Sequence, residues 1–222
     1  MADELTRGAR ATFTDLDPAR IRDNLARARE SIAAAGRNPD QVEICAAIKY
    51  VPGAELPALA EAGITLVGEN RAQDLLAKRE AHGDLFEWDF IGALQSRKLR
   101  DVAPVARLIH TVASESALRR LDQHPAREVL IQVNVAREER KAGIDPDELE
   151  RYLELCPVPV GGLMTMPPPV ADAEQSRPHF ARLAELAARH GLARLSMGTS
   201  QDFEIAAAEG ATIVRLGETL YA

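Results

Sequence analysis

Residues 42–52, VEICAAIKYVP, decide how the fold is interpreted. The segment is an apolar run with β-branched residues, which is typical of a buried strand, and Pro52-Gly53 breaks it. Lys49 is therefore predicted at the carboxyl end of a strand. Ligands of parallel α/β folds bind at that end, where the connecting loops open. Lys49 is a candidate nucleophile there; the alternative is a lysine with a buried stem whose ammonium group simply reaches water.

The rest of the chain alternates short apolar runs with helical patterns, which is typical of repeated βα units. Eight strands favour a closed (β/α)8 TIM barrel over an open sheet. Asp17-Pro18 begins an extra N-terminal helix that runs to Gly36, and residues 1–16 are expected to form a flexible arm. Without a composition break, residues 1–222 are predicted to form a single domain. The predicted strands are 42–49, 64–68, 86–91, 107–111, 127–135, 158–164, 194–197 and 212–216, and the helices between them are 54–62, 70–81, 95–103, 114–122, 145–155, 174–190 and 201–209.

The composition narrows the classes of function. The chain has 222 residues, of which 46% are hydrophobic and 27% are charged, as is usual for a globular protein in water. The formal net charge is −7 and no block of Lys and Arg is present, so nucleic acid and anionic membranes are not expected partners. A small anionic ligand remains compatible with this charge, because backbone amides can bind it locally.

Cysteine and histidine positions do not indicate a metal site. Cys45 lies in an apolar run, Cys156 precedes a proline-rich break, and the five histidines show neither HxH nor HExxH spacing. The first residues, MADELTRGAR, lack the apolar core of a signal peptide, and no apolar run reaches the roughly 20 residues of a membrane span. A cytoplasmic protein without a metal centre is expected.

Two glycine-containing loops follow the last two predicted strands. Gly198-Thr199-Ser200 comes after the seventh strand and Gly217-Glu218 after the eighth. A phosphate commonly binds between these loops in TIM barrels through backbone N–H groups, since glycine permits close approach and hydroxyls add donors. The alternative is that Ser200 caps the following helix and the glycines only turn the chain.

Arg215 is unusual in the apolar strand ATIVRLG, because a buried guanidinium needs a partner. It is either a salt-bridge partner between the outer helices or a residue of the barrel mouth that faces a ligand or a carboxylate. A phosphate site and an amine at one mouth favour a phosphorylated aldehyde. Pyridoxal 5′-phosphate (PLP) combines both groups with a flat ring. Lys49 would need to lose its proton, through desolvation or a neighbouring charge, before it could attack the aldehyde.

Eight short motifs occur in order from about Asp17 to the end of the chain. They are IKY (48–50), GENRAQ (68–73), WDFIGALQSRK (88–98), HTV (110–112), IQVNVAREERKAGI (131–144), GLMTMP (162–167), SMGTSQDFEIA (196–206) and VRLGETLYA (214–222). Together they resemble the pyridoxal phosphate homeostasis proteins, and the combination of GEN, FIGxLQSxK and SMGxS is specific. That family is similar to the N-terminal barrel of alanine racemase. The resemblance therefore implies a fold-type III PLP-binding barrel.

The resemblance also implies roles for individual residues. It implies that Lys49 holds PLP as an internal aldimine and that Asn70 lies near the phenolic oxygen of the ring. Arg215 matches an arginine that faces the pyridine nitrogen. A guanidinium neither accepts a proton nor readily loses one, so this nitrogen would stay unprotonated and the ring would be a weaker electron sink. The implied phosphate site comprises Gly198, Thr199, Ser200, Gly217 and the amide of Glu218.

Two further lysines match positions of the family. Lys141, in the segment RKAGI, matches a lysine proposed to take part in moving the cofactor on and off the protein. The alternative is a solvated loop lysine among other charged side chains. Lys98 has no implied role beyond positive charge near the mouth.

The chain departs from the family pattern at several of these positions. Ile48 and Tyr50 flank the reactive lysine where small hydroxylated residues are usual, and Gln201-Asp202 stands where an acidic pair is usual. Glu218 takes the place of a threonine or serine. A carboxylate close to a phosphate is repulsive unless its side chain points away.

The expected role is cofactor binding in vitamin B6 homeostasis, by storage or transfer, rather than efficient catalysis. A racemase needs two bases, and alanine racemase takes the second from a tyrosine of another domain and subunit. This chain ends at Ala222, directly after its eighth strand. The alternatives are a slow amino acid racemase that uses Lys49, and a barrel that binds another phosphate without imine chemistry. PLP-dependent apo-enzymes are the candidate partners, and a monomer is expected.

Overall fold

Eight parallel strands form a closed barrel in the computed structural model, which describes residues 12–222. The strands are β1 Glu43–Ala47, β2 Leu66–Glu69, β3 Glu87–Phe90, β4 Leu108–Val112, β5 Val129–Gln132, β6 Val160–Met164, β7 Arg194–Thr199 and β8 Ile213–Leu216. Each strand pairs with the next one along the chain, and β1 closes the barrel by pairing with β8. The predicted (β/α)8 barrel is confirmed.

One helix precedes β1, and a helix follows every strand. The helices are α1 Pro18–Ala34, α2 Leu56–Glu61, α3 Ala72–His82, α4 Leu99–Val102, α5 Glu115–Gln123, α6 Leu149–Leu155, α7 Arg177–Arg189, α8 Phe203–Ala208 and α9 Glu218–Tyr221. Four of them are shorter than predicted because a 3₁₀ turn forms their first part, as Gly53–Glu55 does before α2. The short α9 was not predicted. Within residues 12–222, no helix combines the length and apolar character that crossing a bilayer requires.

The first helix begins and ends where the sequence indicates. The Asp17 side chain accepts a hydrogen bond of 2.9 Å from the Ala19 amide, and Pro18 occupies the first helical position. After the last turn, Gly36 adopts a φ of +83°, which glycine reaches without strain. The extra N-terminal helix is therefore confirmed.

The expected arm at the start of the chain is described only in part. Residues 1–11 lie outside the described residues. After them, the Phe13 amide donates to the Tyr50 carbonyl at 2.9 Å, and the Leu16 amide donates to the Glu55 carboxylate at 3.0 Å. The last part of the predicted arm therefore contacts the barrel, because these amides find acceptors there.

Apolar residues form two separate clusters, one inside the barrel and one between the strands and helices. In β1, Cys45 points inward, whereas Ile44 and Ala46 pack against the helices. Both faces of the strand are thus buried, which explains its continuous apolar sequence. The interior cluster comprises Cys45, Leu66, Ile91, Leu108, Leu130, Met164 and Ile213.

The barrel interior has no room for a side chain at Gly68. A Cβ atom there would lie 2.7 Å from Cys45 Sγ and 2.8 Å from Ile91 Cδ1. We expect Gly68→Ala to lower the free energy of unfolding by about 1–3 kcal/mol through overpacking, as measured by urea titration. The matched control is Gly53→Ala, because no atom lies within 4 Å of its Cβ position. Equal stability of Gly68→Ala and wild-type protein would contradict this packing.

Candidate functional site

Lys49 lies at the carboxyl end of β1, in the connecting turn. The strand ends at Ala47, two residues earlier than predicted, because the Val51 amide donates to the Ile48 carbonyl at 3.0 Å and closes a turn. The Lys49 side chain is exposed, and its Nζ lies 4.7 Å from the centroid of the Tyr50 ring. The Lys49 ammonium therefore makes a cation–π contact with the Tyr50 ring.

Ile48 is apolar because it faces the outer core rather than the mouth. Its side chain is completely buried, and its amide donates to the Gly68 carbonyl at 3.0 Å. The Lys78 ammonium donates to the Ile48 carbonyl at 2.7 Å and pairs with the buried Glu69 carboxylate at 2.6 Å. This ion pair ties the end of β1 to the end of β2. Sequence reasoning did not find it, because its two members come from different elements.

Asn70 is the first residue after β2 and is half-buried. The backbone amide of Asn70 donates to the Glu69 carboxylate at 2.6 Å. A Cβ atom on Gly92 would lie 1.8 Å from the Asn70 carbonyl oxygen, so the loops after β2 and β3 touch at this point. Glycine is thus required at position 92 to let Asn70 occupy the rim.

A cavity of about 680 Å³ lies beside Asn70, on the outer side of the rim. Its lining is strongly basic and includes the half-buried Lys98. Lys49, Ser200 and Arg215 are not among the lining residues. The cavity therefore adjoins the predicted site at Asn70 but does not include Lys49. The positively charged lining residues are Arg71, Arg97, Lys98, Arg100 and Arg120.

Ser200 joins the loops that follow β7 and β8. Its Oγ accepts hydrogen bonds from the amides of Gly217 at 3.3 Å and Thr219 at 3.2 Å. Ser200 therefore does not cap α8, which begins three residues later at Phe203. The converging amides belong to the neighbours of Glu218, whose own side chain is exposed.

Gly198 and Thr199 shape the loop from within. The Thr199 amide and hydroxyl both donate to the Asp202 carboxylate, at 2.8 and 3.1 Å. The other oxygen of Asp202 accepts from the Ser176 hydroxyl at 3.0 Å. Gly198 has a φ of +90°, and a Cβ atom there would lie 2.6 Å from Ala206 Cβ. Its glycine is thus explained by the turn and by close packing on α8.

Arg215 lies inside the barrel and is only 5% exposed. The guanidinium donates to Ser196 Oγ at 2.5 Å, to the Thr165 carbonyl at 3.1 Å and to Met166 Sδ at 2.9 Å. It makes no ion pair with a carboxylate among the described residues. Burial lowers the pKa of Arg215 to about 10, so the group is still charged at neutral pH. The surface salt bridge considered from the sequence is excluded.

The predicted residues of β1, β7 and β8 lie on adjacent strands. Arg215 is paired with Cys45 in β1 and with Thr199 in β7. The Cβ position of Gly217 lies 3.5 Å from the Ala47 carbonyl oxygen, an ordinary contact. The barrel therefore brings an exposed amine, two convergent amides and a buried guanidinium to neighbouring strand ends.

Lys141 lies in the loop after β5 and is engaged there. Its ammonium pairs with the Glu138 carboxylate, three residues earlier. Asn134 holds the same loop, because its side chain donates to the Glu138 carbonyl at 2.8 Å and accepts from the Glu138 amide at 3.1 Å. The ion pair is a contact within this loop.

Sequence reasoning missed a set of polar side chains inside the barrel. Asp89 receives two hydrogen bonds from Arg107, at 2.8 and 2.7 Å, and Arg107 also pairs with Glu43 at 2.7 Å. His110 contacts Asp89 at 3.0 Å and Ser196 at 2.8 Å. The signal that could have found them is the one used for Arg215, a polar residue in an otherwise apolar strand.

The ionisation states of this interior set follow from burial and from Arg107. Burial alone would raise the pKa of Asp89, but hydrogen bonds from Arg107 and His110 outweigh it and lower the pKa. Burial lowers the pKa of His110 and outweighs the attraction of Asp89. The carboxylate is therefore charged and the imidazole neutral at neutral pH.

Both cysteines are free thiols, Cys45 inside the barrel and Cys156 half-buried after α6. Burial raises the pKa of Cys45 well above its usual value, as expected for an inert thiol. Among residues 12–222, no group of three or more metal-binding side chains is arranged to hold an ion.

Comparisons with known proteins give related sequences of similar length. The sequence matches the family described as alanine racemase, N-terminal domain, over residues 16–222. The pyridoxal phosphate homeostasis protein of Aquifex aeolicus is 40% identical over 89% of this chain and 93% of that protein. Its counterpart in Pseudomonas aeruginosa is 38% identical over 88% and 90%. The structure of PipY from Synechococcus elongatus with PLP bound is 33% identical, has a TM-score of 0.77, and covers 91% of this chain and 100% of that one.

The neutral, buried His110 should make stability depend on pH. In the unfolded chain the pKa of His110 is about 6.5, and in the folded chain it is lower. As pH falls, the unfolded chain therefore gains this proton before the folded chain does. We expect the free energy of unfolding to decrease from pH 7.5 to 5, by up to about 1.4 kcal/mol per pH unit from this group. Urea titrations at several pH values measure the slope.

His110→Gln should show a shallower slope than the wild type, because the titrating ring is absent. The matched control is His190→Gln, which removes an exposed histidine that keeps its water contacts in both states. Identical slopes for wild-type and His110→Gln proteins would show that His110 takes up a proton in the folded barrel.

Proposed function

The chain belongs to the pyridoxal phosphate homeostasis proteins, within the alanine racemase N-terminal domain family, and on this premise we propose that it binds PLP in vitamin B6 homeostasis. The observation that carries the proposal is the buried guanidinium of Arg215 at the barrel mouth, which makes no ion pair with a described carboxylate. PLP bound to PipY, a relative of similar fold, supports the same cofactor here.

Arg215 suits the pyridine nitrogen of PLP. A buried cation is costly unless it gains a partner, and its three protein acceptors are neutral. An aromatic nitrogen lone pair can accept a hydrogen bond from one of the guanidinium N–H groups that these three contacts leave free. Because Arg215 keeps its protons at neutral pH, it would hold this nitrogen unprotonated.

The loops after β7 and β8 suit the phosphate. The amides of Gly217 and Thr219 already converge on Ser200 Oγ, which is the arrangement that an anion uses. We assign the phosphate to these donors and to the Glu218 amide between them. The Glu218 side chain is exposed to water, which weakens the repulsion between its carboxylate and the anion. Gly198 and Thr199 support the site by fixing the loop.

Lys49 and Asn70 complete the proposed site from the neighbouring ends of β1 and β2. When bound, PLP supplies an aldehyde to which an amine can be linked covalently. Lys49 is an exposed amine at this rim, and the Lys78–Glu69 ion pair fixes the backbone beside it. We assign the phenolic oxygen of the ring to Asn70, which follows Glu69 directly.

We propose storage or transfer of the cofactor rather than efficient turnover. An unprotonated pyridine ring withdraws electrons weakly, so Arg215 favours holding the cofactor over stabilising a carbanion. PLP-dependent apo-enzymes are the proposed recipients, with Lys141 contributing to transfer, and the protein is proposed to act as a monomer. Two free thiols support a cytoplasmic location, where cysteines stay reduced.

Borohydride trapping tests the assignment of Lys49. After incubation with PLP and reduction, we expect the wild type to carry one pyridoxyl phosphate group on the peptide that contains Lys49. Lys49→Ala and Lys49→Arg should carry none, because neither side chain can form the link. Lys98→Ala is the matched control and should be labelled as the wild type is. Mass spectrometry of the digested protein measures the label, and a labelled Lys49→Ala protein would disprove the assignment.

A further inference from the structure

A network of hydrogen-bonded, buried side chains runs through the barrel from Arg215 to Asp89. Arg215 Nη1 lies 2.5 Å from Ser196 Oγ, Ser196 Oγ lies 2.8 Å from His110 Nδ1, and His110 Nε2 lies 3.0 Å from Asp89 Oδ2. Arg215 is 5% exposed and the other three are completely buried. The four residues come from β8, β7, β4 and β3, so the network crosses the barrel interior.

The direction of every hydrogen bond in this network is fixed. The Asp89 carboxylate only accepts, so His110 Nε2 must carry the proton and donate to it. His110 Nδ1 is then an acceptor, because the buried ring is neutral. The Ser196 hydroxyl must donate to Nδ1, which leaves its oxygen lone pairs to accept from Arg215. Each proton has one position, and Arg215 can only be a donor.

Asp89 anchors the far end without neutralising Arg215. Its negative charge is balanced by Arg107, which donates to both of its oxygens. Arg107 is itself tied to Glu43 in β1 at 2.7 Å. The carboxylate therefore orients His110, while neutral groups alone separate it from Arg215. The positive charge at the barrel mouth is preserved.

We propose that Ser196 and His110 are positioning residues that orient the Arg215 guanidinium toward the pyridine nitrogen of bound PLP. The inference rests on the proposed function for the identity of the ligand. An arginine side chain has several rotatable bonds, and Ser196 supplies the shortest contact that restrains this one. Without the Ser196 hydroxyl, the guanidinium would turn toward other acceptors and present a different N–H to the ring.

Ser196→Ala tests the positioning role by its effect on PLP binding. We expect the Kd for PLP to rise about tenfold or more, the loss expected for a hydrogen bond to a charged group. We also expect the visible absorption maximum of bound PLP to shift, because the charge next to the ring nitrogen moves. Ser196→Thr keeps the hydroxyl and should restore both properties toward wild-type values.

Asn24→Ala separates positioning from general destabilisation. Asn24 is also a buried polar residue, but it donates to the Leu220 and Ala222 carbonyls outside the barrel interior. This variant should lower the melting temperature and leave the absorption maximum unchanged. A Ser196→Ala protein that melts earlier but keeps the wild-type Kd and spectrum would overturn the inference.

A measurement without PLP separates failure of the inference from failure of the proposed function. Ring ¹⁵N chemical shifts of His110 in the unliganded protein should show a neutral ring with its proton on Nε2, and Ser196→Ala should change the Nδ1 shift. A doubly protonated ring, or a proton on Nδ1, would overturn the inference whatever the protein binds. Absence of PLP binding by the wild type, with the expected ring state intact, would instead overturn the proposed function.

Discussion

The burial of the Arg215 guanidinium is the constraint on which the rest of the site depends. Removing a charged group from water costs several kcal/mol unless hydrogen bonds replace the lost hydration. The barrel provides a hydroxyl, a carbonyl and a thioether as acceptors, but no ion pair with a described carboxylate. The structure thus tolerates the cation without neutralising it. A ligand with an acceptor atom and negative charge at the barrel mouth would gain from that arrangement.

The two ends of the barrel differ in the charged groups that they present. Toward the amino ends of the strands, Arg107 is paired with the carboxylates of Glu43 and Asp89, so its positive charge is neutralised there. At the carboxyl ends, Arg215, the amides of Gly217 and Thr219, and Lys49 together present positive charge and N–H donors. This asymmetry occurs in a chain whose net charge is −7. A phosphorylated ligand would therefore be directed to the carboxyl ends, where parallel barrels bind their ligands.

Much of the fold was predictable because it depends on local periodicity. Strands that are buried on both faces have continuous apolar sequences, which makes them recognisable. Asp17-Pro18 and Gly36 correctly indicate the two ends of α1. The role of Ser200 was open in the sequence, because helix capping and loop bridging need the same residue type. His110 and Ser196 were missed as partners of Arg215, since their contacts join β4, β7 and β8 and depend on strand register. The four-residue α9 has too few residues for a periodic signal.

A crystal structure of the protein with PLP tests the central claim most directly. The account predicts the pyridine nitrogen within hydrogen-bond distance of the Arg215 guanidinium, the phosphate on the amides of Gly217 and Thr219, and the aldehyde carbon linked to Lys49 Nζ. It would be contradicted by PLP in the outer cavity beside Lys98, with the Arg215 guanidinium still contacting only protein atoms.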